Sequence, residues 1–280
     1  MTTQTPTSKR SPFVWLFVDT IAVARRHILK ITRVPETLFF SLIQPVMFVL
    51  LFAFVFGGAI NVGPGGAQSY REYLIPGIFA QTVMFATAGI TVAISYDAQL
   101  GIMDRFRSLP MSPGAVLGGH TFATLIQNLL VLVVLSITGL AVGWRIHSSI
   151  ADAATAYLLM ALFAYAVTWI GAWVGLKMPN PEVASTAGLA WLFPLTFASN
   201  IFTPVSTMPG WLQPIVLWNP VSCIALSARK LFGNPTPGLG TTFPETHPVQ
   251  LTFVYAVLII AIFAPLAVRA FKKNSTGGKA

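Results

Sequence analysis

Long uncharged apolar stretches alternate with short polar segments along most of the chain. Residues 73–96 and 108–144 each contain no Asp, Glu, Lys or Arg. A run of 18 or more largely apolar residues is typical of a membrane-spanning helix. Applied along the sequence, this pattern predicts six spans, at about 38–57, 74–96, 114–143, 153–176, 183–203 and 249–268.

A charged segment, residues 97–113, separates the second and third predicted spans. Its middle predicts a short amphipathic helix, because Ile102, Phe106 and Leu109 recur at the spacing of one helical face. Charged side chains occupy the remaining positions of that helix, and prolines 110 and 113 would end it. We call this short amphipathic helix the loop helix and expect it to face a soluble partner. The alternative is a solvated connector.

The segment before the first span predicts a second amphipathic helix. Over residues 13–34, one face carries the cations Arg26, Lys30 and Arg33, and another face is apolar. A helix with a cationic face and an apolar face is typical of one that lies along the membrane interface. A solvated arm is the alternative.

Residues 204–248 are harder to assign, because their apolar part is interrupted by Pro214 and by Asn219-Pro220. If this part crossed the membrane, the backbone groups that the prolines leave without a helical hydrogen bond would need other partners at mid-membrane. Six spans with both termini inside place 13 Lys and Arg inside and 4 outside, with Arg229 among the outer four. A seventh span would change this distribution to 11 and 6. The positive-inside rule favours six spans. We therefore predict a helical hairpin at 204–232, dipping into the outer leaflet, and an exposed loop at 233–248.

Composition supports a single polytopic membrane domain over residues 1–280, all-α in fold class. Hydrophobic residues make up 55% of the chain and charged residues only 9%, whereas soluble domains have about 25% charged residues. The net charge of +9 is explained by Lys and Arg on one membrane side rather than by binding of nucleic acid. One cysteine excludes an internal disulfide, and the four histidines lack the spacing of metal ligands.

The candidate chemistry is sparse. The chain has no G-x-x-x-x-G-K-[ST] loop to hold ATP phosphates. The predicted spans contain no Asp, Glu, Lys or Arg, so His120 is the candidate for ion coupling, with a hydrogen-bonded packing residue as the alternative. Asp97 and Asp104, seven residues apart beside Arg105 and Arg107, indicate ion pairs rather than a catalytic carboxylate pair.

Polar side chains recur along one face of each of three predicted spans. These stripes line a transport pathway or form hydrogen bonds between helices, and the pattern leaves both open. Their uncharged character suits an apolar or amphipathic cargo better than a small ion. The candidates are Thr87, Thr91 and Ser95; His120, Thr124, Gln127 and Asn128; and Thr196 and Asn200.

The order and spacing of several short segments resemble the permease of ABC type-2 exporters, in particular the daunorubicin-resistance kind. The segments are 101–105 (GIMDR), 109–113 (LPMSP), 208–212 (MPGWL) and 219–220 (NP). The resemblance covers essentially the whole chain.

This resemblance implies a membrane subunit in the cell membrane, with both termini cytoplasmic and no cofactor of its own. Two permease copies, identical or related, would each dock on a separate ATPase that binds ATP and Mg. The interfacial helix would also face the ATPase, and the hairpin would cap the outer end of the pathway. An ion-coupled secondary multidrug transporter is the alternative function. The resemblance makes the loop helix the ATPase-coupling element, with Gly101, Ile102, Asp104, Arg105, Phe106, Arg107, Leu109 and Pro110.

Overall fold

The computed structural model describes residues 20–21, 23–24, 35–56, 65–108 and 113–273. These residues form helices and turns, with no strand among them. Arg26, Lys30 and Arg33 of the interfacial helix, and Leu109 and Pro110 of the loop helix, lie outside the described residues. The helices are α1 (Pro35–Leu51, continued by a π-helical turn Phe52–Phe56), α2 (Ala67–Gln99), α3 (Ile102–Ser108), α4 (Pro113–Val142), α5 (Ile150–Gly175), α6 (Pro181–Phe197), α7 (Gln213–Leu217), α8 (Pro220–Phe232), α9 (Phe243–Thr246) and α10 (Pro248–Lys273).

Five helical stretches are long and apolar enough to cross a membrane: residues 39–56 of α1 with its π-helical turn, α2, α4, α5 and α10. The prediction of an all-helical, multi-pass membrane protein is therefore confirmed. The fifth predicted span corresponds to α6, which at 17 residues is shorter than these five. A sixth crossing stays a prediction, as do the interfacial helix and the re-entrant hairpin.

Helix α2 lies at the centre of the bundle and contacts α4, α5, α6 and α8. Two glycines allow the backbones of α2 and α5 to approach closely. A Cβ atom on Gly171 or Gly175 would lie 2.5 Å from the carbonyl oxygen of Thr87 or Thr91, respectively. Small residues at such positions are the usual means by which membrane helices gain close contact.

The N-terminal part of α2 extends beyond the predicted span. The sequence indicated a span beginning at about 74, with Arg71 and Glu72 as its boundary, whereas the helix begins at Ala67. The Arg71 guanidinium donates to the Val142 carbonyl at 3.4 Å, and a Glu72 carboxylate oxygen lies 3.0 Å from Nε2 of His147. Because partners from the α4–α5 connection stabilise both charges, they do not end the helix.

The segment after α6 contains the helices α7 and α8. Helix α7 leads into α8, where the Asn219 side chain accepts a hydrogen bond from the Val221 N–H and caps the helix N-terminus. Gly233, with a φ of 70°, ends the helix in the left-handed conformation that glycine favours. Helix α8 packs on α2, α5 and α10, and its Arg229 is only 1% exposed. The count of charges on the two membrane sides treated Arg229 as one of the outer four, and nothing in the sequence indicated that this cation is buried.

A hydrogen-bonded corner joins the α4–α5 connection to the end of α8. The buried Trp144 indole N–H donates to Oδ1 of Asn234 at 2.8 Å, and Nδ2 of Asn234 donates to the Arg145 carbonyl at 2.8 Å. The His147 N–H donates to the Phe232 carbonyl at 2.8 Å. Most of residues 238–247 are exposed, whereas Asn234 is buried within this corner and Glu245 is buried against Gly240 and Thr242. The predicted external loop at 233–248 stays a prediction.

Candidate functional site

A cavity of about 470 Å³ lies between α1, α2 and α4, with Leu189 of α6 at its edge. Volumes of 300–1,000 Å³ are typical of sites for drug-sized ligands. Apolar side chains form much of the wall, and none of the described residues that line it is Asp, Glu, Lys or Arg. The polar side chains of the wall are Ser41, Gln44, Gln81, Thr82, His120, Thr124, Gln127 and Asn128.

The structure brings together the four polar candidates predicted on α4: His120, Thr124, Gln127 and Asn128 all line the cavity. The Thr124 hydroxyl donates to the His120 carbonyl at 3.0 Å, so its own hydrogen bond is made within the helix. Residues at i, i+4, i+7 and i+8 share one helical face, which is why the pattern grouped them correctly.

Four polar residues of the wall were missed by the sequence reasoning. Two of them, Ser41 and Gln44, come from α1, and Gln81 and Thr82 come from the middle of α2. None of them belongs to a stripe of several polar residues in its helix. The available signal was a Gln within an apolar run, since a carboxamide in a span needs a partner or a polar cavity.

Gln81 and Asn128 stand out within the wall by their hydrogen bonding. They are only 3% and 4% exposed. Neither amide atom of Gln81, nor Nδ2 of Asn128, has a hydrogen-bond partner among the described residues. By contrast, the Thr82 hydroxyl donates to the Ile78 carbonyl at 2.8 Å.

The candidates on α2 lie elsewhere. Thr87, Thr91 and Ser95 are buried and do not line the cavity. The Thr91 hydroxyl donates to the Thr87 carbonyl at 2.7 Å and lies 3.2 Å from the carbonyl of Gly171 on α5. Thr87 and Thr91 therefore lie at the contact between α2 and α5.

One candidate on the fifth predicted span, Asn200, contacts a buried cation near the N-terminal end of α2. Arg229 donates from Nε to the Tyr73 carbonyl at 2.7 Å, from Nη1 to Oδ1 of Asn200 at 3.2 Å, and from Nη2 to the carbonyls of Asn200 and Ile201 at 2.9 and 3.0 Å. Its guanidinium lies 3.7 Å from the centroid of the Tyr73 ring, a cation–π contact. The other candidate, Thr196, is buried near the end of α6. Its backbone carbonyl accepts a hydrogen bond from the Ser199 hydroxyl.

His120, which lines the cavity, makes a second ionisable contact. Nε2 of His120 is 3.6 Å from Oδ2 of Asp97, and both side chains are almost fully buried. Asp97 belongs to α2 rather than to the loop helix. Because α2 continues to Gln99, it carries the Asp97 carboxylate into the bundle, where it contacts α4. The predicted ion pairs with Arg105 and Arg107 stay a prediction.

The loop helix α3 follows directly from α2. Gly101 has a φ of 67°, the left-handed conformation that lets the chain turn between the two helices. Met103 is 2% exposed and belongs to a buried cluster with side chains of α2, α4, α5 and α10, and Phe106 packs against the same cluster. Ile102 is half-buried, whereas Asp104 and Arg105 are exposed. Arg107 lies in the same helix.

The apolar face of the loop helix therefore rests in part on the protein's own core. The sequence pattern predicted a face made of Ile102, Phe106 and Leu109 that is presented to a partner. In the structure, Phe106 contacts the bundle and the charged side is exposed. The helix thus contacts the bundle through Met103 and Phe106 and exposes Asp104 and Arg105.

Comparison with known proteins places these features in a family. The family described as ABC-2 type transporter matches residues 19–232. The chain is similar to the Daunorubicin resistance ABC transporter permease protein DrrB1 of Streptomyces coeruleorubidus, with 30% identity over 89% of this chain and 84% of that protein.

Two further relatives cover most of the chain at lower identity. The Doxorubicin resistance ABC transporter permease protein DrrB of Mycobacterium tuberculosis is 25% identical, over 81% of this chain and 80% of its own length. The Putative transport permease ycf38 of Porphyra purpurea is 26% identical, over 76% and 73%. The chain therefore belongs to the ABC-2 type transporter family, as a multi-pass membrane permease.

Proposed function

We propose that this chain is the permease subunit of an ATP-driven exporter that moves an apolar or amphipathic molecule, such as a drug, antibiotic or lipid, out of the cell. The observation that carries the proposal is the cavity of about 470 Å³ with an uncharged, partly polar wall, inside a bundle of this family. Such a wall suits a largely apolar ligand with a few polar groups. The names of the relatives, which refer to daunorubicin and doxorubicin resistance, support a drug-like cargo.

The proposed arrangement has a separate ATPase subunit, which supplies ATP and Mg, and a second permease copy, identical or related. The sequence offers no phosphate-binding loop of its own, which supports a partner for ATP hydrolysis. We further propose six spans, a re-entrant hairpin of α7 and α8, and cytoplasmic termini in the plasma membrane. The excess of Lys and Arg on the proposed inner side supports this orientation.

In this arrangement the loop helix α3 couples the ATPase to the bundle. Its exposed residues, including Asp104 and Arg105, would contact the ATPase, while Met103 and Phe106 would pass the displacement to α2 and α4. The two faces then have separable roles. Exposed charges at an interface act mainly on the association rate and are screened by salt.

Co-expression with the ATPase subunit, followed by pull-down and an efflux assay, tests this coupling. We expect Arg105→Ala to weaken ATPase pull-down modestly and more clearly at low salt. Phe106→Ala should retain the ATPase but reduce cargo efflux several-fold, because the contact with the buried cluster is lost. If Phe106→Ala retains full pull-down and full efflux, the loop helix is only a connector.

One observation favours a second candidate, ion-coupled secondary transport. His120 lines the cavity and lies 3.6 Å from Asp97, an arrangement that resembles the paired ionisable groups of such transporters. The two candidates respond differently to energy sources. Efflux that stops when the ATPase carries an inactive phosphate loop supports the exporter, whereas efflux that stops only when the proton gradient is collapsed supports the alternative.

A further inference from the structure

Two carboxamides in the cavity wall have no partner in the part of the protein that the structure describes. Gln81 comes from α2 and Asn128 from α4, and both line the same cavity while being more than nine-tenths buried. The unpaired atoms are Oε1 and Nε2 of Gln81 and Nδ2 of Asn128. Gln81 therefore offers one acceptor and a donor group, and Asn128 offers a further donor group.

A buried amide without a hydrogen-bond partner destabilises a protein, and an apolar side chain of similar size would avoid that penalty. Two other polar side chains of the wall do have hydrogen-bond partners. The hydroxyls of Thr82 and Thr124 each donate to a backbone carbonyl of their own helix. The unpaired atoms of Gln81 and Asn128 make no such bond to any described residue.

We propose that Gln81 and Asn128 are the specificity-determining residues of the cavity, and that they select an uncharged apolar molecule carrying both a hydrogen-bond acceptor, such as a carbonyl, and a donor, such as a hydroxyl. This inference rests on the proposed transport function, because it names the ligand chemistry of the same site. The described wall has no Asp, Glu, Lys or Arg to compensate a full charge on the ligand. A carbonyl would accept from either amide N–H₂ group, and a hydroxyl would donate to Oε1 of Gln81.

Two steroids of the same shape provide a matched pair of probes. Testosterone has one carbonyl and one hydroxyl, whereas 5α-androstane has the same ring skeleton and no polar group. Binding is read from protection of a single cysteine, Ala86→Cys in a Cys223→Ser background, against a maleimide in reconstituted nanodiscs. Ala86 lines the cavity and is partly exposed. Gly210→Cys, at an exposed position outside the cavity, controls for effects of the steroids on the reagent.

We expect testosterone to protect the cavity cysteine at lower concentration than 5α-androstane does. Gln81→Met and Asn128→Leu, which remove the amides with little change in volume, should each raise the half-protecting testosterone concentration about tenfold. The same variants should bind 5α-androstane as well as the parent does, or better, because no amide is left unpaired. Gln99→Met, on the exposed inner end of α2, is the matched control and should change neither value. Gln81→Asn, which keeps a carboxamide, should retain part of the preference.

Each result separates this proposal from the transport function. Equal protection by the two steroids in the parent, or unchanged preference in both Gln81→Met and Asn128→Leu, overturns the recognition role. If that happens while the chain and its ATPase still export cargo, the permease function stands and only the recognition is wrong. If the preference behaves as expected but no ATPase associates with the chain, the ligand site stands and the exporter assignment falls.

Discussion

Removal of the buried cation of α8 should detach this helix from the bundle. Arg229→Met puts an unbranched apolar side chain in place of the guanidinium and removes its four hydrogen bonds. One of these bonds reaches Tyr73 near the N-terminal end of α2, and three reach Asn200 and Ile201, which follow α6. Two of the acceptors would still have a donor in the variant. The Tyr73 carbonyl accepts a backbone hydrogen bond within its helix, and the Asn200 carbonyl also accepts from the Tyr73 hydroxyl at 2.5 Å. Oδ1 of Asn200 and the Ile201 carbonyl have no other donor among the described contacts.

The magnitude follows from these two orphaned acceptors. Each buried acceptor left without a donor costs about 1–3 kcal/mol, and part of this loss is recovered because a cation no longer has to be desolvated. We expect a net loss in the free energy of unfolding of about 2–4 kcal/mol, which corresponds to a fall of roughly 5–15 °C in the apparent Tm. Arg229→Lys keeps the charge but has only three donors in a different geometry, so it should give an intermediate loss.

The single cysteine of the chain provides a local assay. Cys223 lies in α8 and is 1% exposed, so a maleimide reacts with it only when this helix opens. A loss of about 2 kcal/mol in the anchoring of α8 should raise the labelling rate about 30-fold. Lys230→Ala is the matched control, because Lys230 is the adjacent cation but is exposed, and it should raise the rate only slightly.

The opposite outcome is equally definite. If Arg229→Met leaves both the Cys223 labelling rate and the apparent Tm as they are in the parent protein, the four hydrogen bonds do not hold α8 in place. The anchoring role of Arg229 would then be wrong.

Two further predictions concern the packing of α5 and the outer loop. Gly171→Ala should lower the apparent Tm, because its Cβ atom would lie 2.5 Å from the Thr87 carbonyl oxygen; Gly89→Ala, with no atom within 4 Å of its Cβ position, is the control and should be neutral or stabilising in the same thermal assay. Burial by itself raises the pKa of Glu245, but hydrogen bonds from the Thr242 hydroxyl and the N–H groups of Gly240 and Thr242, together with nearby Lys230, bring this pKa below its usual value. The stability that Glu245 contributes is therefore present above the ordinary carboxyl pKa of about 4.3 and is lost as pH falls through the lowered pKa. Thermal unfolding of Glu245→Gln should show a deficit near neutral pH that narrows as the pH is lowered, and a deficit independent of pH would contradict this role.

The sequence predicted the helices and the class of protein because both depend on local properties. Length and hydropathy define a membrane-spanning helix segment by segment, so five of the predicted spans overlap the long helices α1, α2, α4, α5 and α10. The early start of α2 was missed because the partners of Arg71 and Glu72 belong to residues about 70 positions away. The stripe on α4 was grouped correctly since its members share one face of a single helix.

Only the tertiary structure decided which polar residues meet. Gln81 and Asn128 come from different helices, and nothing in either local sequence indicates that their amides line one cavity. Nothing in the sequence indicated that Arg229 is buried, because its carbonyl partner Tyr73 is 156 residues away. Asp97 looked like part of the charged loop because its contact with His120 depends on how far α2 extends and on how α4 packs beside it. Hydropathy places a side chain in the membrane, but the partner of a buried polar group is set by the packing of distant helices.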